Sequence, residues 1–196
     1  MTRRVLPGLL VTASLAVALA GCGSSPEPQE TVSATPAESA TTTPPAEPTP
    51  DPVVLPTSCD QLGTAATRAA TVDTLTLQGD GVGFVRPAPP SAQLVLGCDW
   101  FAGDATGILI LISTVPDDDT VAYAESTLPA DGWTCTVGDT GNYICSKVTP
   151  NSQYPVDTTE VVIARDDVWI YESYSNIDGD LLLADITASL WGTGGN

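Results

Sequence analysis

Hydrophobic and polar positions divide the chain into three regimes. Val5 to Ala20 is apolar apart from Pro7, Gly8, Thr12 and Ser14, residues 23–56 show no apolar period, and residues 57–192 carry the periodicities of folded structure. In the third regime Ser58-Cys59-Asp60-Gln61 reads as a capping box. The helix it opens is expected to run to about Ala70, with Leu62, Ala65, Ala66 and Ala69 turned inward. Gly79 to Pro90 reads as loop, with Gly83-Phe84-Val85 as a short edge strand. Gln93 to Phe101 alternates like a strand, and Gly107 to Val115 is an apolar run suited to a central strand covered on both faces.

Asp117-Asp118-Asp119 starts a second helix with Val121, Ala124 and Leu128 inward and Pro129 as its stop. A hairpin follows, turning at Asp139-Thr140-Gly141 with Gly141 left-handed, which sets Gly138 opposite Asn142, Val137 opposite Tyr143 and Cys135 opposite Cys145. Trp133, Cys135, Val137, Tyr143 and Cys145 then share a face. Glu160–Ala164 and Val168–Tyr174 form a second hairpin around Arg165-Asp166-Asp167. Asp180 caps a last helix with Leu183, Ile186 and Leu190 inward, ended by Gly192. Neighbouring strands interleaved with a few helices predict an α+β fold, an antiparallel sheet with helices packed on one face, over 57–192, with 193–196 as a flexible tail.

The first regime changes the picture of where this domain works. Arg3 and Arg4 precede an apolar core too short to span a bilayer, so residues 1–21 read as an export signal. Leu19-Ala20-Gly21-Cys22 resembles the bacterial lipobox, which implies that Cys22 becomes a lipidated first residue and holds the chain on the outer face of the cell membrane. Each buried methylene contributes about 0.8 kcal/mol to such an anchor, so two or more acyl chains hold where one does not. Residues 22–56 then form a disordered tether carrying nine of the chain's 17 prolines. Fully extended, it reaches roughly 100 Å at about 3.1 Å per residue.

Charge excludes whole classes of function. The 196 residues hold 24 Asp+Glu against 6 Lys+Arg, a net −18, and no His. Removing Arg3 and Arg4 with the signal leaves four bases, Arg68, Arg86, Lys147 and Arg165, and a net of −20. Four scattered bases do not neutralise a nucleic-acid backbone. Without His there is no Ser–His–Asp or Cys–His catalytic set and no imidazole metal ligand.

Four cysteines remain after Cys22, in a compartment where disulfides persist. The hairpin register selects Cys135–Cys145, which leaves Cys59–Cys98. No C-x-x-C occurs, and spacings of 39, 37 and 10 fit no zinc pattern. The other candidates for chemistry are Ser146 with Lys147, the acid and ring pairs Asp99-Trp100 and Asp167 with Trp169 and Glu172, the Asp117–Asp119 cluster, the Asn176-x-Asp178-x-Asp180 rhythm and the Gly-rich 79–83. Each has a plainer structural reading that outweighs it: strand alternation, a helix N-terminus, a mobile loop. No catalytic, cofactor or metal residue is therefore assigned.

Cys59-Asp60-Gln61-Leu62, Cys98-Asp99-Trp100, Trp133-Thr134-Cys135 and Tyr143-Ile144-Cys145, behind a lipobox and a Pro/Thr-rich tether, resemble a group of actinobacterial cell-envelope lipoproteins of unknown function. They also look like extracytoplasmic sensor domains with two disulfides. The resemblance implies an envelope binding or accessory module with cell-wall polymer or an envelope protein as partner. It carries no catalytic residue across. The alternatives are a structural or protein-interaction lipoprotein without a small-molecule site, and a carboxylate-dependent glycan hydrolase.

Overall fold

The structure, a computed structural model, describes residues 53–79, 83–84 and 86–192. The signal, Cys22, most of the tether and the tail 193–196 lie outside the described residues. Among the described residues no helix is long and apolar enough to cross a membrane.

Among the described residues seven strands form one sheet: β1 (Thr76–Gly79), β2 (Gln93–Gly103), β3 (Thr106–Thr114), β4 (Thr134–Val137), β5 (Tyr143–Pro150), β6 (Asp157–Arg165) and β7 (Val168–Ser175). Their order is β1-β2-β3-β7-β6-β5-β4, and every neighbouring pair is antiparallel. Two meanders thus meet at β3 and β7. The α-helical segments among the described residues are α1 (Ala65–Ala70), α2 (Asp117–Ala122), α3 (Leu128–Ala130) and α4 (Asp180–Trp191). The α+β class, the antiparallel sheet and both disulfides, Cys59–Cys98 and Cys135–Cys145, are as expected.

Strand alternation sorts the core into two layers. On face A, Trp100, Ile108, Ile110, Ile112, Ile163 and Ile170 meet Leu182, Leu183 and Ile186 of α4, with Leu62 and Val72 beside them. On face B, Leu109, Leu111, Val162, Ala164 and Trp169 meet Ala124 and Leu128. The α4 helix packs on face A with α1 against it, and Ala124 and Leu128 of the segment between β3 and β4 pack on part of face B. This explains why residues 108–113 of β3 are buried without a break. Val53 and Leu55, which the sequence places in the tether, pack against the face A core.

Local chemistry accounts for the departures from the expected elements. Ser58 makes no side-chain cap, and Cys59–Gln61 is a single 3-10 turn. Gln61 does reach back, accepting from the Thr57 amide at 2.7 Å. The α1 helix starts instead at Thr64, whose hydroxyl accepts from the Thr67 amide. Ala65, Ala66 and Ala69 are exposed, and Thr67 and Thr71 take the inward positions.

Pro129 does not stop the second helix. A π-turn over Tyr123–Thr127 precedes it, widening the helix where a proline ring would otherwise press on the carbonyl four residues back. The wider turn makes Thr120, Ala124 and Leu128 the buried positions and leaves Val121 half-buried. The stop is Gly132, at φ +86. Its N–H bonds to the Pro129 carbonyl while Trp133 N–H bonds to Leu128, and those two apolar side chains share the face B core. This is a Schellman ending.

The Cys135 hairpin has the expected register, and Gly141 has φ +79. Val137 shares the face of Cys135, Cys145 and Tyr143 as expected, and is 61 % exposed at the hairpin tip. Arg165 pairs with Val168, so the second hairpin turns on Asp166-Asp167 alone. Asp180 is the first residue of α4 rather than its cap, which is Gly179.

Candidate functional site

The registers define rows of side chains running across face B, and the rows change character halfway along the strands. Two rows are mostly apolar: Gly97-Leu111-Tyr171-Val162-Cys145-Cys135 and Ser113-Trp169-Ala164-Tyr143-Val137. They are covered by the helical segment between β3 and β4 and by the chain before β2. The Tyr123 ring meets Trp169 edge-on at 5.7 Å, and the Trp169 indole N–H donates to the Pro87 carbonyl at 3.0 Å.

The next two rows are different. They read Asp99-Leu109-Ser173-Glu160-Lys147 and Phe101-Gly107-Ser175-Thr158-Thr149. Over them lies an open cleft of ≈ 270 Å³. Its floor is Leu109, Ser173 and Ser175, its walls include Phe84 and Phe101, and Asn151 of the β5–β6 connection lines its rim. Ser175 and Thr158 bond to each other at 2.8 Å, and the Tyr171 hydroxyl donates to Glu160 Oε1 at 2.7 Å.

Gly107 shapes the floor. A Cβ there would stand 2.8 Å from the Trp100 carbonyl and 3.3 Å from the Phe101 ring. Its absence lets Phe101 lie close to the sheet while staying 44 % exposed; Phe84 is 47 % exposed. Two large rings kept in solvent at one cleft are the feature that needs explaining. Desolvation raises the Asp99 carboxyl above its ordinary value, and burial followed by Glu160 raises the Tyr171 hydroxyl. A larger hollow of ≈ 470 Å³, lined by Ser91, Gln93, Thr114, Val115, Pro116 and Asp167, has no ring in its lining.

The structure separates most residues that the sequence placed together. Asp99 faces the cleft, whereas Trp100 lies on face A opposite Ile108. Asp167 is an exposed turn residue, Trp169 is in the face B core, and Glu172 is on face A opposite Ile110. Ser146 and Lys147 point to opposite faces, and the Lys147 amine donates to the Asp131 carbonyl at 2.9 Å. Asp117–Asp119 occupy the first turn of α2, with Asp119 accepting from Ser91. Asn176 donates to Thr106, while Asp180 accepts from Tyr174. The 79–83 loop is only partly described. Of the residues singled out in the sequence, Asp99 and Trp100 are among the cleft's lining residues, and Lys147 stands at the far end of the Asp99 row.

Phe84, Phe101, Glu160, Tyr171, Ser173 and Thr158 were not singled out. A signal for most of them exists in the sequence: β6 reads Asp-Thr-Thr-Glu and then four apolar residues, and β7 reads Val-Trp-Ile-Tyr and then Glu-Ser-Tyr-Ser. Paired as a hairpin, the polar halves fall side by side. No family model, curated protein or solved structure matches the chain.

Proposed function

We propose that the chain is a lipid-anchored extracytoplasmic binding or accessory module of a cell envelope, without enzymatic activity, that takes its ligand on the open half of face B. The contrast within one sheet face carries this reading. One half is sealed under helix and loop; the other is left open, polar and flanked by exposed rings. Binding sites of this type combine apolar walls with a few convergent polar groups.

Two paired disulfides support maturation in an oxidising compartment. The lipobox supports a lipid on Cys22 as the membrane contact. Cell-wall polymer or an envelope protein is the partner that such anchoring brings within reach, and net −18 disfavours nucleic acid. The described cleft lining holds one acid, Asp99, and the next acid in its row is too far off for a hydrolase pair. Asp99 and Glu160 stand three strand spacings apart, on the order of 14 Å, against about 5–10 Å for the carboxylate pairs of glycosidases. A cleft with exposed rings also fits a ligand site better than a purely structural role.

The test is expression of the native chain and Cys22→Ala in a bacterium, followed by cell fractionation and intact mass. The native chain is expected in the membrane fraction with a diacylglyceryl mass on Cys22, and the variant in the soluble extracytoplasmic fraction. Incubated with envelope glycans and peptides, the native protein should deplete a ligand without altering it. A cytosolic chain with free thiols, or accumulation of cleavage products, would refute the proposal.

A further inference from the structure

The cleft has a definite charge character as well as a shape. Asp99 is the one charged group among its described lining residues, and Glu160, in the same row, lies beyond that lining with its carboxylate taken by the Tyr171 hydroxyl. Lys147, opposite Glu160 in β5, is engaged by the Asp131 carbonyl. An anionic ligand is disfavoured by like charge, and a wholly apolar one would strand the serines and the Asp99 carboxylate beneath it. The exposed faces of Phe84 and Phe101 attract cations through their ring quadrupoles, by about 0.5–1 kcal/mol each at such sites. They also offer apolar area to a methylene chain.

We infer that the ligand of this cleft is a linear alkyl amine, its methylene stem laid along Phe101 and an ammonium group placed at Asp99. The assignment rests on the binding reading above and adds the chemical class. Asp99 adds a linked proton. Its carboxyl is raised by desolvation, with no base among the causes of its shift. An ammonium group beside it favours the charged form, so binding lowers its midpoint and tightens as pH rises through that midpoint.

The experiment titrates spermine into the mature native protein, held in neutral detergent, by calorimetry. Maltotetraose is the neutral comparison. Asp99→Asn and Phe101→Ala are each expected to weaken spermine binding by about tenfold or more. Phe101 is half exposed, so its truncation leaves the core intact, which a thermal melt checks. Asp118→Asn removes the same charge from the exposed, ringless start of α2 and should leave the dissociation constant unchanged. Equal weakening by Asp118→Asn would mean a diffuse counter-ion effect and overturn the assignment. Maltotetraose binding that is sensitive to Phe101→Ala, with spermine inert, would overturn the ligand class and leave the cleft as the binding face. Neither probe binding would overturn the class, and a ligand captured elsewhere from the envelope mixture would overturn the cleft as well.

Discussion

Glu172 is a costly side chain to bury, and its cost depends on pH. It is fully buried on face A, flanked along β7 by Ile170 and Tyr174 and across the sheet by Ile110 and Val161. Neither carboxyl oxygen has a hydrogen-bond partner among the described residues. Burial, followed by the charges of Asp180 and Asp178, pushes the carboxyl from 4.5 up to about 8. Tyr174 beside it is itself pushed up to about 12, mainly by desolvation.

Between 4.5 and about 8 the native Glu172 holds a proton that the unfolded state has released. Stability must therefore fall as pH rises across this window and level off on either side. At about 1.36 kcal/mol per pKa unit the full effect approaches ~5 kcal/mol, an upper bound because relaxation and entering water reduce it. Urea unfolding of the native protein and Glu172→Gln at several pH values between 4 and 9 measures it. The variant should match the native protein to within about 1 kcal/mol near pH 5 and exceed it by roughly 3–4 kcal/mol near pH 8. Glu172→Met should be stable throughout, since it leaves no buried amide unpaired. Taking the difference cancels the titration of all other acids. A stability difference independent of pH would refute the claim that this carboxyl is buried as the neutral acid.

The remaining predictions concern the parts that hold the cleft and its supports. Replacing Cys59 and Cys98 by Ser should cost ~4 kcal/mol, and replacing Cys135 and Cys145 ~3 kcal/mol, because the first pair closes 39 residues and the second 10; thermal melts of the two double variants would show the order. Gly107→Ala should cost about 1–3 kcal/mol and lift Phe101 off the sheet, which proton chemical shifts of the Phe101 ring would report. Asp185 accepts from the Thr64 amide at 2.9 Å and from the Thr67 hydroxyl, tying α4 to the start of α1, and these bonds hold its carboxyl below the usual value. Its contribution is thus present above the unfolded carboxyl range and lost as pH falls through its lowered midpoint. Asp185→Ala should lower the melting temperature at neutral pH and flatten the acid limb of the stability profile.

Much of the fold was legible because its signals are local. The turn chemistry of Asp139-Thr140-Gly141 determines a register, and that register places Cys135 against Cys145 without knowledge of any other element. The buried run of β3 announces a central strand. The helices were read less well because their inward faces depend on what they meet. Thr67 is inward because Asp185, 118 residues away, accepts its hydroxyl. Thr120 replaces Val121 because a π-turn ahead of Pro129 shifts the phase. β1 was missed altogether: Thr-Leu-Gln-Gly is fully exposed, and its pairing to β2 is its recognisable feature.

The cleft is harder to read for a further reason. Asp99, Phe101, Glu160, Tyr171 and Ser173 come from β2, β6 and β7, and they share a surface only because β7 inserts beside β3. Strand order is a long-range property, set by which apolar halves seal best. The α2 to α3 segment must cover Leu111, Val162 and Trp169, since those are the residues whose exposure costs most. It is too short to cover the polar rows as well, with its ordered turns ending at the Gly132 stop. The open site is therefore the complement of the core on the same face. Lengthening that segment would close the cleft before it disturbed the packing beneath Trp169, so the position of Gly132 separates the part of the sheet that folds the protein from the part left free to bind.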